Sequence, residues 1–160
     1  MANLVTGKTV VEDSYTGSAV GTLTNINDGN YSTSYERGQG GVGLTVGATT
    51  IHIDFASSAV TQVKLVYACS NVNLSNVTAQ VHIYYGSTWN QIWSDTTPRT
   101  TSTTVNIDGT WTGVTSVKVV LSSSTFNPIE SWAASRIYEV EVTGSSNRAQ
   151  APLPQWYRPA

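Results

Sequence analysis

Apolar and polar residues alternate strictly along several short stretches of the chain. In residues 77–85, Val77, Ala79, Val81 and Ile83 occupy every second position, and polar residues separate them. The same spacing recurs at Ile51, Ile53 and Phe55, at Val63, Leu65 and Tyr67, at Val105 and Ile107, at Val117, Val119 and Leu121, and at Tyr138, Val140 and Val142. Because successive side chains of a strand point to opposite faces, this pattern predicts half-buried strands of antiparallel sheets.

Clusters of Gly, Asn, Ser and Thr separate these runs and are typical of turns, as in residues 70–76 and 122–127. No stretch of a dozen residues carries the 3.6-residue period of an amphipathic helix. Many short strands at near-regular spacing predict an all-β fold, an antiparallel β-sandwich of the jelly-roll type, over residues 1–144. The glycine-rich residues 34–49 are expected to form a surface loop before the first long core strand.

Composition narrows the class of protein further. The 160 residues are typical of one domain, and 8 basic against 10 acidic residues leave a net charge of −2. Without a concentrated basic cluster, nucleic acid is not expected as a partner. Cys69 is the single cysteine, so it cannot form an internal disulfide, and it is expected to be a buried thiol. The chain has no signal-peptide pattern and no run of about 18 apolar residues, so we expect synthesis in a host cytoplasm without membrane insertion.

The last sixteen residues have a different character. Residues 145–160 hold three of the five prolines, which favours an extended arm over a further strand. Within this arm, Leu153, Trp156 and Tyr157 are candidate anchors for a groove on a partner chain, because aromatic residues are frequent energetic centres of interfaces.

Four stretches of the chain form a set of motifs: residues 3–10, 25–35, 50–55 and 136–144. Together they resemble the galactose-binding-like superfamily, which includes discoidin or coagulation factor V/VIII type C domains and many bacterial carbohydrate-binding modules. Residues 25–35 (NINDGNYSTSY) resemble the DGN-x-x-T-x-W loop of the superfamily. Residues 3–10 (NLVTGKTV), 50–55 (TIHIDF) and 136–144 (RIYEVEVTG) resemble its opening, middle and closing strands, in the same order. The resemblance spans residues 3–144 and implies the same jelly-roll fold.

The Asp28-Gly29-Asn30 sequence alone indicates a tight turn. The resemblance adds a second interpretation, a structural Ca²⁺ site, since Ca²⁺ takes six to eight oxygen ligands. It implies ligands from Asn25, Asp28, Asn30, Thr33, Tyr138 and Glu139. Such a site would join the early loop to the last strand.

Sugars present C–H faces that pack on aromatic rings and hydroxyls that bind polar side chains. The candidate sugar contacts are Tyr35, Arg37, Asn71, Asn73 and Trp132, and each of them has packing within the domain as its structural alternative. Trp89 is expected to pack into the core.

Catalytic signals are weak. Residues 38–43 satisfy G-x-G-x-x-G, but no apolar strand precedes them and no helix is expected to follow, so dinucleotide binding is not predicted. His52 and His82 fall on outward strand positions without a neighbouring nucleophile turn. We therefore expect a protein that is not an enzyme.

Two functions remain open. The first is an accessory structural protein of a bacteriophage virion, a capsid decoration or tail-associated subunit that binds other virion chains through its arm and adheres to cell-surface glycan. The alternative is a carbohydrate-binding module of a secreted glycan-degrading enzyme, which would be extracellular.

Overall fold

The computed structural model describes residues 1–146. They form seven strands, β1 (Ala2–Asn3), β2 (Val10–Thr16), β3 (Ser18–Val20), β4 (Tyr35–Asn71), β5 (Val77–Tyr85), β6 (Thr88–Asp95) and β7 (Arg99–Ser146), and one 3-10 turn at Leu23–Ile26. Within this part of the chain, no helix has the length and apolar character needed to cross a membrane. The predicted all-β class is confirmed.

The two longest strands, β4 and β7, bend sharply and contribute segments to both layers of a sandwich. Layer A consists, in order, of β2, residues 43–54, residues 116–127, β5 and β6. Layer B consists, in order, of residues 99–114, residues 58–71, residues 131–146 and residues 35–41, with β3 on the outer side of residues 36–38 and β1 beside residues 143–144. All of these pairings are antiparallel, as the alternation predicts.

The apolar side of each layer faces the other layer. Tyr67 of layer B packs edge-to-face on Trp93 of layer A, with ring centroids 5.8 Å apart. Cys69 follows Tyr67 by two residues in layer B and is also buried. Burial raises the pKa of its thiol to about 11. The buried residues include nearly every apolar position of the alternating runs: Ile51, Ile53, Phe55, Val63, Leu65, Tyr67, Val77, Ala79, Val81, Ile83, Ile107, Val117, Val119, Leu121, Val140 and Val142.

Tyr138 departs from the alternation because β7 carries one extra residue there. Ile137 pairs with Tyr67 and Glu139 pairs with Val66, so Tyr138 has no partner on β4. Such a bulge shifts the following residues by one position relative to the neighbouring strand. Tyr138 is therefore half-buried outside the core, and Glu139 lies on the outer face of layer B, where it is fully buried.

The glycine-rich residues 34–49 form two paired strand segments, so the prediction of a surface loop is wrong. Residues 35–41 belong to layer B and residues 43–54 to layer A, with Gly43 at a positive φ of 89° where the chain changes layer. A Cβ atom on Gly47 would lie 2.7 Å from the carbonyl oxygens of Arg37 and Ala133. Glycine permits this close backbone approach, so the glycines serve the sandwich itself.

β7 continues to Ser146, two residues past the expected domain end at 144, because Ser145 and Ser146 pair with Ala59 and Ser58. The remainder of the arm, with Leu153, Trp156 and Tyr157, lies outside the described residues.

Candidate functional site

Tyr35 does not contact solvent as a sugar-binding residue would. Its side chain is 3% exposed, and its hydroxyl donates to Glu12 at 2.9 and 3.0 Å. Burial and the adjacent Glu12 carboxylate raise the pKa of Tyr35 to about 12. The prediction of a ligand contact is wrong here, because a partner 23 residues away in sequence holds the phenol inside.

Arg37 is also occupied within the protein. Its Nε donates to Glu12 at 3.1 Å, its Nη1 donates to the Gly17 carbonyl at 3.0 Å, and its guanidinium lies 3.6 Å from the Tyr15 ring centroid. Burial opposes ionisation of Glu12, but the hydrogen bonds from Arg37, Thr49 and Tyr35 outweigh it and lower its pKa. Arg37 therefore joins β2 to β4, and its role as a ligand contact stays a prediction.

Asn71 and Asn73 shape the loop that follows β4. Asn71 is fully buried, its amide donates to Ser123 Oγ at 3.0 Å, and its Oδ1 accepts from the Asn73 backbone at 3.1 Å. Asn71 is thus a loop-positioning residue and is wrongly predicted as a sugar contact. Asn73 is exposed, and its amide donates to the Phe126 carbonyl at 2.8 Å.

Trp132 is the predicted sugar contact that lies on an open concave surface. It is 40% exposed on the outer face of layer B. Along β7, Trp132, Ala134 and Arg136 point to this face, and they pair with Gly40, Gly38 and Glu36 of the neighbouring segment. The small residues in the middle leave a depression between the tryptophan on one side and the two charged residues on the other.

We call this surface the Trp132 groove. It is lined by Trp132, Glu36 and Arg136, together with the smaller residues Ser18, Val20, Gly38, Gln39, Gly40, Ala68, Ser70, Thr100, Ala133 and Ala134. It holds two depressions of about 280 Å³ and about 610 Å³. The larger volume falls within the range of about 300–1,000 Å³ that small-ligand sites commonly have, and the smaller lies just below it.

The charged side of the groove is the ion pair of Arg136 and Glu36, in which Glu36 Oε1 accepts no hydrogen bond from the described residues. Arg136 Nε donates to Glu36 Oε2 at 2.6 Å, and Arg136 Nη1 donates to the Tyr138 hydroxyl at 3.3 Å. Hydrogen bonding to Tyr138 and to Glu36 raises the pKa of Arg136 despite its partial burial. Glu36 Oε1 lies over the groove floor, 2.9 Å from where a Cβ of Gly38 would be. The groove thus offers a flat apolar ring, an acceptor oxygen without a hydrogen-bond partner among residues 1–146, and guanidinium donors.

Sequence reasoning missed Gly38, Ala134 and Arg136 as site residues. The signal that could have found them is the period-two spacing of Glu36, Gly38 and Gly40, which matches that of Trp132, Ala134 and Arg136. That spacing places three residues of each strand on one face, with small residues in the middle.

The predicted metal site also lies on the outer face of layer B, where the loop of residues 27–33 covers Glu139. The Gly29 backbone donates to Glu139 Oε1 at 3.3 Å and to Oε2 at 3.2 Å. Asp28 accepts from the Asn30 backbone at 2.8 Å and from Thr33 Oγ1 at 2.9 Å. The structure therefore brings Asp28, Asn30, Thr33 and Glu139 together. Asn25 donates its amide to the Ser34 carbonyl at 2.9 Å, and Tyr138 immediately precedes Glu139 in β7.

The electrostatics of this loop suit a cation. Burial, together with the negative charges of Asp28 and Glu141, raises the pKa of Glu139 to about 7, although the Gly29 backbone and the Lys64 charge oppose the shift. The donors are carboxylate, hydroxyl and carbonyl oxygens, the ligand type of Ca²⁺. Within residues 1–146, no three His, Cys, Asp or Glu side chains are close enough to hold a metal by themselves, so a cation here would also need neutral oxygens.

Comparison with known proteins reveals the fold. No protein-family profile and no curated protein sequence matches the chain. Chitosan-binding module 1 of a Paenibacillus sp. IK-5 chitosanase/glucanase is 22% identical, with a TM-score of 0.60 over 90% of this chain and 100% of the module. The Clostridium perfringens module CpGH89CBM32-4, in complex with GlcNAc-α-1,4-galactose, is 17% identical, with a TM-score of 0.59 over 88% of this chain and 92% of the module.

A third solved structure, chitosan-binding module 2 of the same Paenibacillus enzyme in complex with chitotriose, is 20% identical. Its TM-score is 0.58 over 89% of this chain and 100% of the module. The chain has the galactose-binding-like β-sandwich fold. The resemblance stated from the four sequence motifs is confirmed at the level of the fold.

Proposed function

We propose that the protein is a non-catalytic carbohydrate-binding module that holds glycan in the Trp132 groove. The observation that carries this proposal is an exposed tryptophan beside two depressions that both border the Glu36 carboxylate, whose Oε1 has no hydrogen-bond partner in the described part of the chain. A pyranose ring is apolar on its C–H face and polar at its edge. Trp132 suits the first, and Glu36 and Arg136 suit the second.

The similar solved structures support this proposal over a virion role. They are carbohydrate-binding modules, and two of them contain a bound saccharide. The virion proposal depends on the arm, whose anchors lie outside the described residues, and the comparisons provide no support for it. The location that accords with glycan binding is extracellular.

The experiment compares two matched variants, Trp132→Ala and Trp89→Ala, in affinity gel electrophoresis with chitosan, xylan, galactomannan and alginate. Trp89 lies on layer A, far from the groove in the fold, and serves as the control. We expect Trp132→Ala to weaken binding by about 2 kcal/mol, or roughly thirtyfold in Kd, as for a buried aromatic anchor. Trp89→Ala retains the affinity of the unmodified protein.

Retention of at least one polysaccharide by the unmodified protein is required. Failure to retain any of the four, or equal loss in both variants when circular dichroism shows both folded, would contradict glycan binding at the groove.

We also propose that the Asp28 loop binds a structural Ca²⁺ ion through Asn25, Asp28, Asn30, Thr33, Tyr138 and Glu139. Support comes from the buried Glu139 carboxylate, which faces a second carboxylate on Asp28. A cation that binds only the folded state at a hundredfold excess over its Kd stabilises the protein by about 2.7 kcal/mol.

Chelation tests this ion. EDTA should lower the melting temperature of the unmodified protein and leave that of Asp28→Ala unchanged, since the variant has already lost a ligand. An equal response of both proteins to EDTA would show that any bound cation is held elsewhere.

A further inference from the structure

We infer that the Trp132 groove binds an internal stretch of a linear polysaccharide, with sugar residues on both sides of Trp132. This inference rests on the proposed glycan-binding function. It adds the mode of recognition, which is a chain passing through the site and not a chain end held in it.

The two depressions lie on opposite sides of the strand that carries Trp132. Residues 131–137 of β7 lie between residues 35–41 and residues 67–71 of β4. The larger depression extends over Gly38 and Gly40 toward β3, and the smaller one extends over Ala68 and Ser70. Both are bounded by Trp132, Ala134 and Glu36. The indole of Trp132 therefore lies between the two depressions.

The groove runs across the strands from one edge of layer B to the other. β3 forms one edge and is exposed along its length, and Thr100 on the opposite edge strand is exposed as well. With neighbouring strands about 4.8 Å apart, the four spacings from Ser18 to Thr100 give a length of roughly 19 Å. A chain of several sugar residues can therefore enter at one edge and leave at the other.

The polar groups stand at the middle of the groove and not at an end. Glu36 lines both depressions, and Arg136, which pairs directly with Glu36 across two neighbouring strands, lines the smaller one. A site for chain ends needs polar groups that close one side around the terminal hydroxyl. Here the central pair can bind hydroxyls of residues on either side of Trp132, which suits a continuing chain.

Isothermal titration with chito-, cello-, xylo- and manno-oligosaccharides, from monosaccharide to hexasaccharide, tests the inference. In any series that binds, we expect Kd to fall about tenfold or more from monosaccharide to trisaccharide and then to level off. Reduction of the reducing-end sugar of the hexasaccharide to its alditol, and separately methylation of the terminal O4 at its non-reducing end, should each change Kd less than about twofold.

Equal affinity for the monosaccharide and the hexasaccharide, or loss of binding on reduction of the end, would overturn internal-chain recognition while leaving glycan binding intact. Failure of every oligosaccharide and of the parent polymers to bind would overturn the proposed function, and the inference with it.

A variant that fills one depression gives a second readout. Gly40 is not among the glycines with a positive φ, and its Cβ would approach only the Ser131 carbonyl, at 3.8 Å, so a side chain can begin here without moving the backbone. Because Gly40 lines the larger depression, Gly40→Leu places apolar bulk there. It should weaken hexasaccharide binding about tenfold, whereas Gln91→Leu, at an exposed position on β6, should not. Unchanged hexasaccharide affinity in Gly40→Leu would show that the chain uses one side of Trp132 only.

Discussion

The outer faces of the two layers both carry a tryptophan and charged side chains. On layer A the tryptophan is covered by neighbouring side chains, whereas on layer B it is open to solvent. On layer A, Trp89 is covered, because Lys118 Nζ lies 4.3 Å from its ring centroid and Tyr84 packs against it with centroids 5.3 Å apart. The expectation that Trp89 packs into the core is wrong; it packs on the outside of the sandwich. On layer B, Trp132 has no aromatic or cationic partner among the described residues.

The charged groups show the same contrast. On layer A, His52 Nδ1 lies 2.8 Å from the Asp13 carboxylate. On layer B, the buried carboxylate of Glu139 faces the like charge of Asp28. The tryptophan and histidine of layer A thus have partners within the chain, although Leu44 and Phe126 of that layer are exposed. Layer B carries both the open indole of Trp132 and the like charges of Asp28 and Glu139. The comparison teaches that ligands are expected on layer B, because its outer face combines an exposed indole with a buried carboxylate that faces a second negative charge.

The largest expected effect is a pH dependence on layer B. Since burial raises the pKa of Glu139 from 4.5 to about 7, the folded state keeps a proton that the unfolded state releases. In EDTA, the free energy of unfolding should therefore fall by about 3 kcal/mol as pH rises from about 4.5 to above 7. Urea denaturation at pH 5 and pH 8 measures this, with Glu139→Gln as the control. The same slope in Glu139→Gln would assign the effect to another group.

The next effect separates the two tryptophans by stability. Trp89→Ala removes a half-buried ring with a cation–π contact and an aromatic contact, and should lower the free energy of unfolding by about 2 kcal/mol, below the 3–5 kcal/mol of a core tryptophan. Trp132→Ala should cost less than about 1 kcal/mol, because Trp132 is 40% exposed. Denaturant titration of both variants measures the difference. A larger loss for Trp132→Ala would mean that Trp132 is mainly structural.

The smallest effect concerns Lys118. Lys118→Met keeps an unbranched side chain of similar length and removes the charge. The free energy of unfolding should therefore fall by about 0.5–1 kcal/mol through the lost cation–π contact. Burial and the Lys118 charge lower the pKa of His82, so the variant should raise that pKa. Proton NMR titration of the His82 ring measures the shift. An unchanged pKa would show that Lys118 does not act on His82, and glycan binding should be unaffected throughout.

The strands were predictable because their burial pattern is local. Val81 and Val119 are buried, as the alternation within their own strands predicts. This prediction does not require knowing which strands lie beside them. The Asp28 turn was recognisable for a similar reason, since its hydrogen bonds to Asn30 and Thr33 span two and five residues.

The candidate sugar contacts were not predictable in this way, because exposure depends on distant partners. Tyr35 and Arg37 look available in sequence, but Glu12 holds both of them. Asn71 looks like a loop amide, yet Ser123, 52 residues away, holds its side chain inside.

Sequence alone determined the class of this protein, an antiparallel sandwich, because alternation records which face of each strand is buried. It also marked the tight turn at Asp28. Only the tertiary structure decided where a ligand can bind. The Glu36–Arg136 pair joins residues 100 positions apart, and the groove forms only when their strands lie side by side with Ala68 and Trp132. Strand pairing over such distances depends on how the layers stack, which no local pattern in the chain specifies.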